Sequence, residues 1–434
     1  TGSGKTEVYF EAIAEALRQD RQVLILLPEI ALTIQFLERF ASRFGVRPAE
    51  WHSDLSQKER RRTYRAVMSG EAPMKLLNPG PVTLTARVRA ALARPDMCHR
   101  EGEFADMCSK ILSKIGSVYP ASKAGYTPVL LTSSGTGAVE AMLSVVPRKE
   151  HAKGMRTLVV ANGVYGERAA AMLAAQGKEH DLVSSPWTRP MDVTKVDELL
   201  SKGEYAHVFA VHHETTTGRL NDLPALGAIC KKHGVKLLLD AVSSFAGEDI
   251  RFDEWNLEAC AGTANKCIHG VPGIAFVLVA NEVFTSRETG ATSVYLDLFR
   301  YRKEQAKGFS PFTQSVHVLF ALDEALDELA EQGGWEKRHQ KYAALTKQVR
   351  EGLFALGIQP FLEDADSTGA TLSSYRLPKG LSYEKLHDHL KNKGFVIYAG
   401  QGPFSGEMFR IAVMGDVDAG DMTRLLGEIR ATLA

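Results

Sequence analysis

Residues 128–146 read PVLLTSSGTGAVEAMLSVV, and this stretch decides the fold class. Pro128–Thr132 is an apolar run typical of a buried strand, and Ala138–Val146 has the composition of a helix. Further short apolar runs follow at residues 157–161, 208–212, 236–239 and 274–279. Strands that alternate with helices predict an α/β domain with a mainly parallel sheet.

The pattern changes after Gln314, where a long helix is predicted to about Gln332. The remaining predicted helices cover residues 335–356, 383–393 and 419–432, and the predicted strands lie near residues 371–376 and 395–398. This mixture is typical of a smaller α+β domain. The sequence therefore predicts a large domain over residues 74–330 and a small domain over residues 331–434, with a separate segment, residues 1–73, before them.

The N-terminal segment begins with a nucleotide-binding motif. Gly4, Lys5 and Thr6 match the end of the phosphate-binding loop G-x-x-x-x-G-K-[ST], in which backbone amides and the lysine hold phosphates and the hydroxyl holds magnesium. The first glycine of that pattern would precede Thr1. We therefore expect residues 1–73 to be a truncated P-loop fragment whose phosphate loop is vestigial.

Two further blocks extend this motif into a resemblance. They are LLPEIALT at residues 26–33 and WHSDLSQKERRRTYRAVMSGEA at residues 51–72, and with TGSGKTEVY they resemble the core of the primosomal replication-restart helicases. The sequence downstream offers no acidic magnesium-binding motif and no second helicase lobe with an arginine finger. The alternative hypothesis is that the chain is an ATP-binding helicase fragment. Without these parts, we expect such a fragment to have no helicase activity.

Composition limits the partners of the chain. Lys plus Arg (52) equals Asp plus Glu (52), so charge gives no reason to expect nucleic acid or an anionic membrane as a partner. No apolar run is long enough to span a bilayer. The five cysteines form no C-x-x-C pair, and reduced thiols in the cytoplasm are their simplest interpretation. The adjacent His212 and His213 would face opposite sides of a strand, so no metal site is predicted.

Two charged residues stand at the ends of apolar strands. Lys266 lies in TANKC, residues 263–267, before a turn rich in glycine and proline. Desolvation there would lower the lysine pKa and supply the neutral amine that Schiff-base chemistry needs. Asp240 ends the strand KLLLD, where a buried carboxylate needs a cation such as a protonated pyridine nitrogen. Taken alone, each residue also fits a solvated lysine or an ion-paired aspartate.

Two further elements could hold the rest of such a ligand. Ser134, Gly135 and Thr136 stand between a strand and a helix, where backbone amides, hydroxyls and the helix dipole form a site for a phosphate monoester. Tyr165, in NGVYG after another strand, could stack on a planar ring. An ordinary capped helix and a structural tyrosine are the alternatives.

In this order, the phosphate turn, aromatic, strand-end aspartate and turn lysine resemble fold-type I, class V aminotransferases. Three blocks are similar to the 2-aminoethylphosphonate–pyruvate transaminases: ETTTG at residues 214–218, DAVSSF at 240–245 and ANKCIHGVPG at 264–273. The resemblance covers residues 74–434. It implies pyridoxal phosphate as the cofactor, and a large α/β domain with a smaller C-terminal α+β domain.

The resemblance also implies residue roles. Lys266 would carry the cofactor as a Schiff base and move protons, and Asp240 would hold the pyridinium nitrogen. Arg410 would form a bidentate pair with the carboxylate or phosphonate of the substrate. Thr313 would reach the phosphate of a neighbouring subunit, which implies a homodimer. The implied cofactor-binding residues are Ser134, Gly135, Thr136, Tyr165, Thr215, Asp240, Asn265, Lys266 and Thr313.

The implied reaction moves the amino group of 2-aminoethylphosphonate to pyruvate and yields phosphonoacetaldehyde and alanine. Two features depart from that family. Gly137 stands where the family has an aromatic residue, and residues 98–104, CHREGEF, are closer to alanine– or serine–glyoxylate aminotransferases. Amino-group transfer from alanine or serine to glyoxylate, or to pyruvate, is therefore the alternative.

Overall fold

The computed structural model describes residues 10, 11, 13–15, 39, 40, 43, 74–364 and 368–433. The chain divides into two compact units, Thr1–Met74 and Lys75–Ala434. In the first unit, Phe10, Ile13 and Phe40 form a small buried cluster, with the two phenyl rings edge to face at 5.9 Å. Gly4, Lys5 and Thr6, the predicted vestigial phosphate loop, lie outside the described residues.

The second unit alternates strands with helices. Its strands are β1 (Lys75–Leu76), β2 (Tyr126–Thr132), β3 (Arg156–Ala161), β4 (His180–Ser184), β5 (Tyr205–Val211), β6 (His213–Glu214), β7 (Arg219–Leu220), β8 (Lys236–Asp240), β9 (Leu257–Thr263), β10 (Ile274–Ala280), β11 (Leu372–Arg376), β12 (Phe395–Val396), β13 (Tyr398–Ala399) and β14 (Met408–Ala412). Its helices are α1 (Ala86–Ala91), α2 (Gly102–Gly116), α3 (Ser122–Gly125), α4 (Gly135–Met142), α5 (Val164–Ala175), α6 (Val193–Leu200), α7 (Leu223–His233), α8 (Asn281–Ser286), α9 (Leu298–Gln305), α10 (Val316–Glu331), α11 (Gly334–Ala355), α12 (Tyr383–Asn392) and α13 (Ala419–Leu433).

A seven-stranded sheet forms the centre, in the order β2-β10-β9-β8-β5-β3-β4. Its neighbours from β9 to β4 run parallel, and β10 runs antiparallel to both β2 and β9. The strands β9 and β10 are buried along their whole length. Parallel strands covered by helices on both faces read as continuous apolar runs. The prediction of a mainly parallel α/β sheet is confirmed.

The direction of β10 decides where the site forms. Since β10 runs against both of its neighbours, β2 points the same way as β8 and β9. The carboxyl ends of β2, β8 and β9 therefore meet at one edge, with the turns that follow them. Open α/β sheets bind their ligands at this edge. Ser134, Asp240 and Lys266 all follow or end these strands.

The C-terminal part builds a second, three-stranded antiparallel sheet in the order β11-β14-β13. The single strand predicted near residues 395–398 is divided into β12 and β13. These halves pair with different partners, because β12 lies parallel to β1 and β13 lies antiparallel to β14. The helix predicted over residues 138–146 starts earlier, at Gly135, and passes into a 3-10 turn at Leu143–Val145. Within the described residues, every helix is too short or too polar to cross a bilayer.

Candidate active site

Lys266 lies half-buried in the turn between β9 and β10, at the carboxyl edge of the central sheet. Its Nζ donates a hydrogen bond to the carbonyl oxygen of Pro79 at 2.5 Å. Gly80 follows with φ +119°, a backbone conformation that favours glycine, and a Cβ there would approach Lys266 Cγ to 3.1 Å. The segment at Pro79–Gly80 therefore closes against the lysine stem.

The surroundings of Lys266 lower the pKa of its amine. Burial lowers the pKa of the lysine to about 8, and the positive charge of Arg410 acts in the same direction. Cys267 and Asp240 oppose this shift. A lysine with this pKa is neutral in an appreciable fraction of molecules near neutral pH, so it can attack a carbonyl carbon.

Asp240 ends β8 and is buried at the same edge of the sheet. Its Oδ1 accepts a hydrogen bond from the backbone amide of Val242 at 2.9 Å. Burial raises the pKa of Asp240 to about 6, although the charges of Lys266 and Arg168 lower it. Among the described residues, no cation lies within ion-pair distance of this carboxylate. A ligand that brings a positive charge to Asp240 would therefore relieve the cost of its burial.

Ser134, Gly135 and Thr136 form a concave turn at the start of α4, at the other side of this edge. This turn is called the phosphate cup. Ser134 caps the helix, with its Oγ accepting from the amide of Gly137 at 3.3 Å. The first amides of a helix have no partner within the helix, and the dipole adds positive potential. A Cβ on Gly135 would lie 2.7 Å from Val242 Cγ1. The close approach to Val242, two residues after the end of β8, therefore requires glycine here and keeps the cup beside Asp240.

Tyr165 stands in the first turn of α5, where Glu214 and Arg168 contact it. Its amide donates to Oε2 of Glu214 at 3.3 Å. The guanidinium carbon of Arg168 lies 4.9 Å from the centre of its ring, a cation–π distance. Nη1 of Arg168 also lies 3.5 Å from Oγ1 of Thr136. The aromatic ring and a cation are thus held next to the phosphate cup.

These residues surround one cavity of about 310 Å³. A phosphate cup, an aromatic ring, a buried carboxylate and a lysine amine therefore face a common space, although they come from distant parts of the sequence. The cavity is lined by Ser134, Gly135, Thr136, Tyr165, Arg168, Val211, His213, Asp240, Val242, Ser243, Thr263, Asn265, Lys266, Pro272 and Gly273.

Three predicted residues lie outside this lining. Thr215 is fully buried, and its Oγ1 has no hydrogen-bond partner among the described residues. Arg410, on β14, is also buried and donates to the carbonyl oxygens of Ala399 and Thr215 at 2.7–2.9 Å. Thr313 is exposed. Arg410 is thus hydrogen-bonded to Thr215, two residues after the lining residue His213.

The structure brings to the site three residues to which the sequence gave no role there. Arg168 reaches the cavity because it lies three residues after Tyr165, one turn along α5. That spacing was the available signal. His213 lines the cavity and contacts Thr371 Oγ1 at 2.9 Å. Glu214 is buried beside it, and burial raises its pKa to about 7. Within the described residues, no group of His, Cys, Asp or Glu is arranged to hold a metal ion.

This geometry suits a flat ligand with a phosphate at one end and a basic ring nitrogen at the other. An amine beside such a ligand can capture an aldehyde on it. Fold and site therefore define a transferase that works on amines. The family model "Aminotransferase class-V" matches residues 85–417, and the chain belongs to this family of pyridoxal-phosphate-dependent aminotransferases.

The matches to curated relatives cover nearly the whole length of those relatives. The chain is 34% identical over 365 residues to a 2-aminoethylphosphonate–pyruvate transaminase of Bacteroides fragilis, covering 83% of this chain and 99% of the relative. It is 36% identical to the enzyme of that name from Vibrio vulnificus, covering 82% and 97%. The predicted resemblance to this family is confirmed.

Solved structures share the fold. An aspartate aminotransferase of subgroup IV from Thermus thermophilus superposes with a TM-score of 0.73 at 26% identity, covering 83% of this chain and 99% of that chain. An alanine–glyoxylate aminotransferase from Nostoc sp. superposes with a TM-score of 0.76 at 24% identity, covering 84% and 96%. The fold predicted from the resemblance is therefore confirmed.

A second family model covers the beginning of the chain. The model "DEAD/DEAH box helicase" matches residues 1–93. The predicted similarity of the N-terminal segment to helicases is confirmed by this match, which overlaps the first residues of the aminotransferase match.

The residues present fit pyridoxal phosphate. Ser134, Gly135 and Thr136 line the cavity at the start of α4 and offer amides and hydroxyls to a phosphate. The carboxylate of Asp240 stands without a cationic partner among the described residues, as the ring nitrogen requires. The buried Oγ1 of Thr215 has a free hydrogen bond to offer to a polar group. The donor set thus supplies a partner for the phosphate, the ring nitrogen and the aldehyde.

The pH dependence of cofactor capture tests the environment of Lys266. Only the neutral amine attacks an aldehyde, so the capture rate of pyridoxal phosphate by the cofactor-free enzyme should rise with pH and level off above about 8. For a solvated lysine, with a pKa of about 10.4, the capture rate would continue to rise well beyond that pH. Stopped-flow absorption measures the rate, with Nα-acetyl-lysine as the control. A profile that follows the control would contradict the buried environment.

Proposed function

We propose that this enzyme transfers the amino group of 2-aminoethylphosphonate to pyruvate, giving phosphonoacetaldehyde and alanine. The similarity to transaminases of that name, at 33–36% identity over 82–83% of the chain, carries the proposal. Pyridoxal phosphate supplies an aldehyde that accepts the amine and a ring that withdraws electrons from the neighbouring C–H bond. The roles proposed below belong to the residues of the chain.

Lys266 would hold the cofactor through Nζ, and its amine would move a proton away from the amine-bearing carbon of the donor. Its lowered pKa supports both roles, because the neutral amine is at once a nucleophile and a base. Asp240 would hold the protonated ring nitrogen through its buried carboxylate. This pairing maintains the electron-withdrawing power of the ring during proton removal.

The other binding residues orient the ligand. Tyr165 would stack on the ring, and Ser134, Gly135 and Thr136 would bind the phosphate through hydroxyls and helix amides. Asn265 lines the cavity beside them. Thr215, whose Oγ1 is buried without a partner among the described residues, would donate to the phenolic oxygen.

Arg410 is proposed to bind the anionic end of the substrate. Its guanidinium is buried, and in the part of the chain that the structure describes no carboxylate forms an ion pair with it. Three N–H contacts to the carbonyls of Ala399 and Thr215 hold it in place. A planar guanidinium can offer two parallel hydrogen bonds to a carboxylate or a phosphonate.

A comparison of amine donors tests the proposed substrate. We expect kcat/KM for 2-aminoethylphosphonate to exceed that for ethylamine by at least about 100-fold, because ethylamine has no anionic group and leaves the cation of the site unpaired. Single-turnover absorption follows the donor half-reaction, and product analysis detects phosphonoacetaldehyde. β-Alanine is the matched control, since a carboxylate replaces its phosphonate.

The alternative donors give the opposite result. Faster turnover of alanine or serine with glyoxylate would replace the proposed reaction with the alternative one. Gly137 is the reason to test these donors, because an aromatic residue is expected at this position in the 2-aminoethylphosphonate–pyruvate transaminases. A Cβ at Gly137 would lie 2.0 Å from Ser133 Oγ. This backbone leaves no room for the aromatic residue unless Ser133 moves.

The assembly and the domains are also proposed. The exposed Thr313 is available to reach the phosphate of a second subunit, so we propose a homodimer with shared sites, which sedimentation of the purified chain tests.

The five unpaired cysteines support a location in the cytoplasm. We propose residues 1–73 as a helicase-derived fragment, with residues 74–330 as the large domain and residues 331–434 as the small one.

A further inference from the structure

The turn that carries Lys266 is held by an arginine far along the chain. Nη1 of Arg338, on α11, donates to the carbonyl oxygens of Cys267 and Ile268 at 2.8 and 3.1 Å. These are the two carbonyls that follow the lysine directly. One donor thus fixes the orientation of two successive peptide groups beside Lys266.

Arg338 is almost fully buried, with 2% of its surface exposed. Nη2 donates to Oε1 of Gln332 at 2.7 Å, and no carboxylate lies within ion-pair distance in the described part of the chain. A buried guanidinium is expensive unless polar groups satisfy it. Two of the groups that satisfy this one belong to the lysine turn.

A second set of contacts holds the same turn. Gly415 donates its amide to Nε2 of His269 at 2.8 Å, and Met414 Sδ lies 3.6 Å from Cys267 Sγ. His269 has φ +67°, an uncommon conformation for a residue with a side chain. Met414 and Gly415 follow β14, the strand that carries Arg410. The lysine turn is therefore packed between α11 and the end of the strand that bears the proposed substrate-binding arginine.

We propose that Arg338 is a positioning residue for Lys266. By binding the carbonyls of Cys267 and Ile268, it sets the direction in which the lysine side chain leaves the backbone. Nζ is thereby aimed at the cavity rather than left to sample other rotamers. The inference rests on the proposed role of Lys266 as the cofactor lysine, and it is independent of the identity of the amine donor.

The test compares Arg338→Met and Arg338→Lys with a matched control. Methionine keeps much of the length but donates nothing, whereas lysine keeps the charge and can reach one carbonyl. The control is Thr346→Val on the same helix, which removes the buried hydrogen bond from Oγ1 to Ala370 O at 2.6 Å, away from the lysine turn. All three variants lose buried polar contacts, so their melting temperatures should fall together.

Capture of pyridoxal phosphate by Lys266 separates positioning from stability. A misplacement of about 1 Å can cost about 100-fold, so Arg338→Met should slow capture and lower kcat by about 10- to 100-fold, with donor KM within about threefold. The pH midpoint of the lysine-bound absorption band should also move. Arg338→Lys should recover part of each effect, and Thr346→Val should leave the capture rate and the midpoint unchanged.

The outcomes are distinct. Arg338→Met with the capture rate and pH midpoint of Thr346→Val would overturn the proposal and leave Arg338 a purely structural residue. Where the methionine variant fails to fold, Arg338→Lys decides, because unchanged capture in that variant also overturns it. Failure of the unmodified enzyme to capture the cofactor at Lys266 would instead contradict the proposed function, whatever the variants do.

Discussion

Lys266→Ala is expected to abolish transamination, lowering kcat by about 10⁴-fold or more. Alanine removes both the amine that holds the cofactor and the base that moves the proton. Asp240 and Glu214 cannot replace Lys266 as the base, because their buried carboxylates already accept hydrogen bonds from Val242 and Thr216. Formation of alanine from 2-aminoethylphosphonate and pyruvate measures the loss.

Borohydride reduction followed by peptide mapping checks the same lysine directly. The unmodified enzyme should lose its visible absorption band and gain a stable adduct on Lys266. Lys337→Ala serves as the control, because its side chain is exposed on α11 and donates a hydrogen bond to Gln340, away from the cavity. Normal turnover in Lys266→Ala, or an adduct that maps to another lysine, would refute the assignment.

Asp240→Asn is expected to lower kcat by about 100- to 1000-fold while the cofactor remains bound. The amide has nearly the same shape and can still accept from the amide of Val242, but it carries no charge to hold a protonated ring nitrogen. The ring then withdraws electrons less strongly, and the proton on the donor carbon is harder to remove. Steady-state kinetics and the absorption of the bound cofactor measure the two effects separately.

A cofactor analogue with a fixed positive charge on its ring nitrogen should restore part of the activity of Asp240→Asn. Asp222→Asn provides the control, since Asp222 caps α7 and asparagine is an equally good cap. Equal kcat values for Asp240→Asn and the unmodified enzyme would show that the buried carboxylate does not set the state of the ring nitrogen.

Much of the fold was accessible from the sequence. Apolar runs over residues 128–132, 157–161 and 274–279 correspond to β2, β3 and β10, and each strand is one or two residues longer than its run. Long periodic helices such as α10 and α11 were predicted nearly to their ends. These elements are recoverable because burial on both faces of a sheet, or on one face of a helix, leaves a local pattern.

Boundaries that depend on partners were less accessible. The division of residues 395–398 between β12 and β13 follows from pairing with β1 and β14, which lie far away in the sequence. The antiparallel direction of β10 is of the same kind. Local composition carries no record of which strand will lie alongside.

The sequence by itself determined the chemical groups of the site. An aspartate at a strand end, a lysine before a glycine-rich turn and hydroxyls at a helix start are visible locally, because each needs a particular position on its own element. The motif blocks also indicated the family and its cofactor, and the comparisons confirmed both.

Only the tertiary structure decided how these groups meet and what holds them. Arg168 reaches the phosphate cup, Arg410 bonds to the carbonyl of Thr215, and Arg338 binds the lysine turn. In each case the partners are separated by 32 to 195 residues. The lowered pKa of Lys266 likewise arises from burial by many segments together, which no single stretch of sequence encodes.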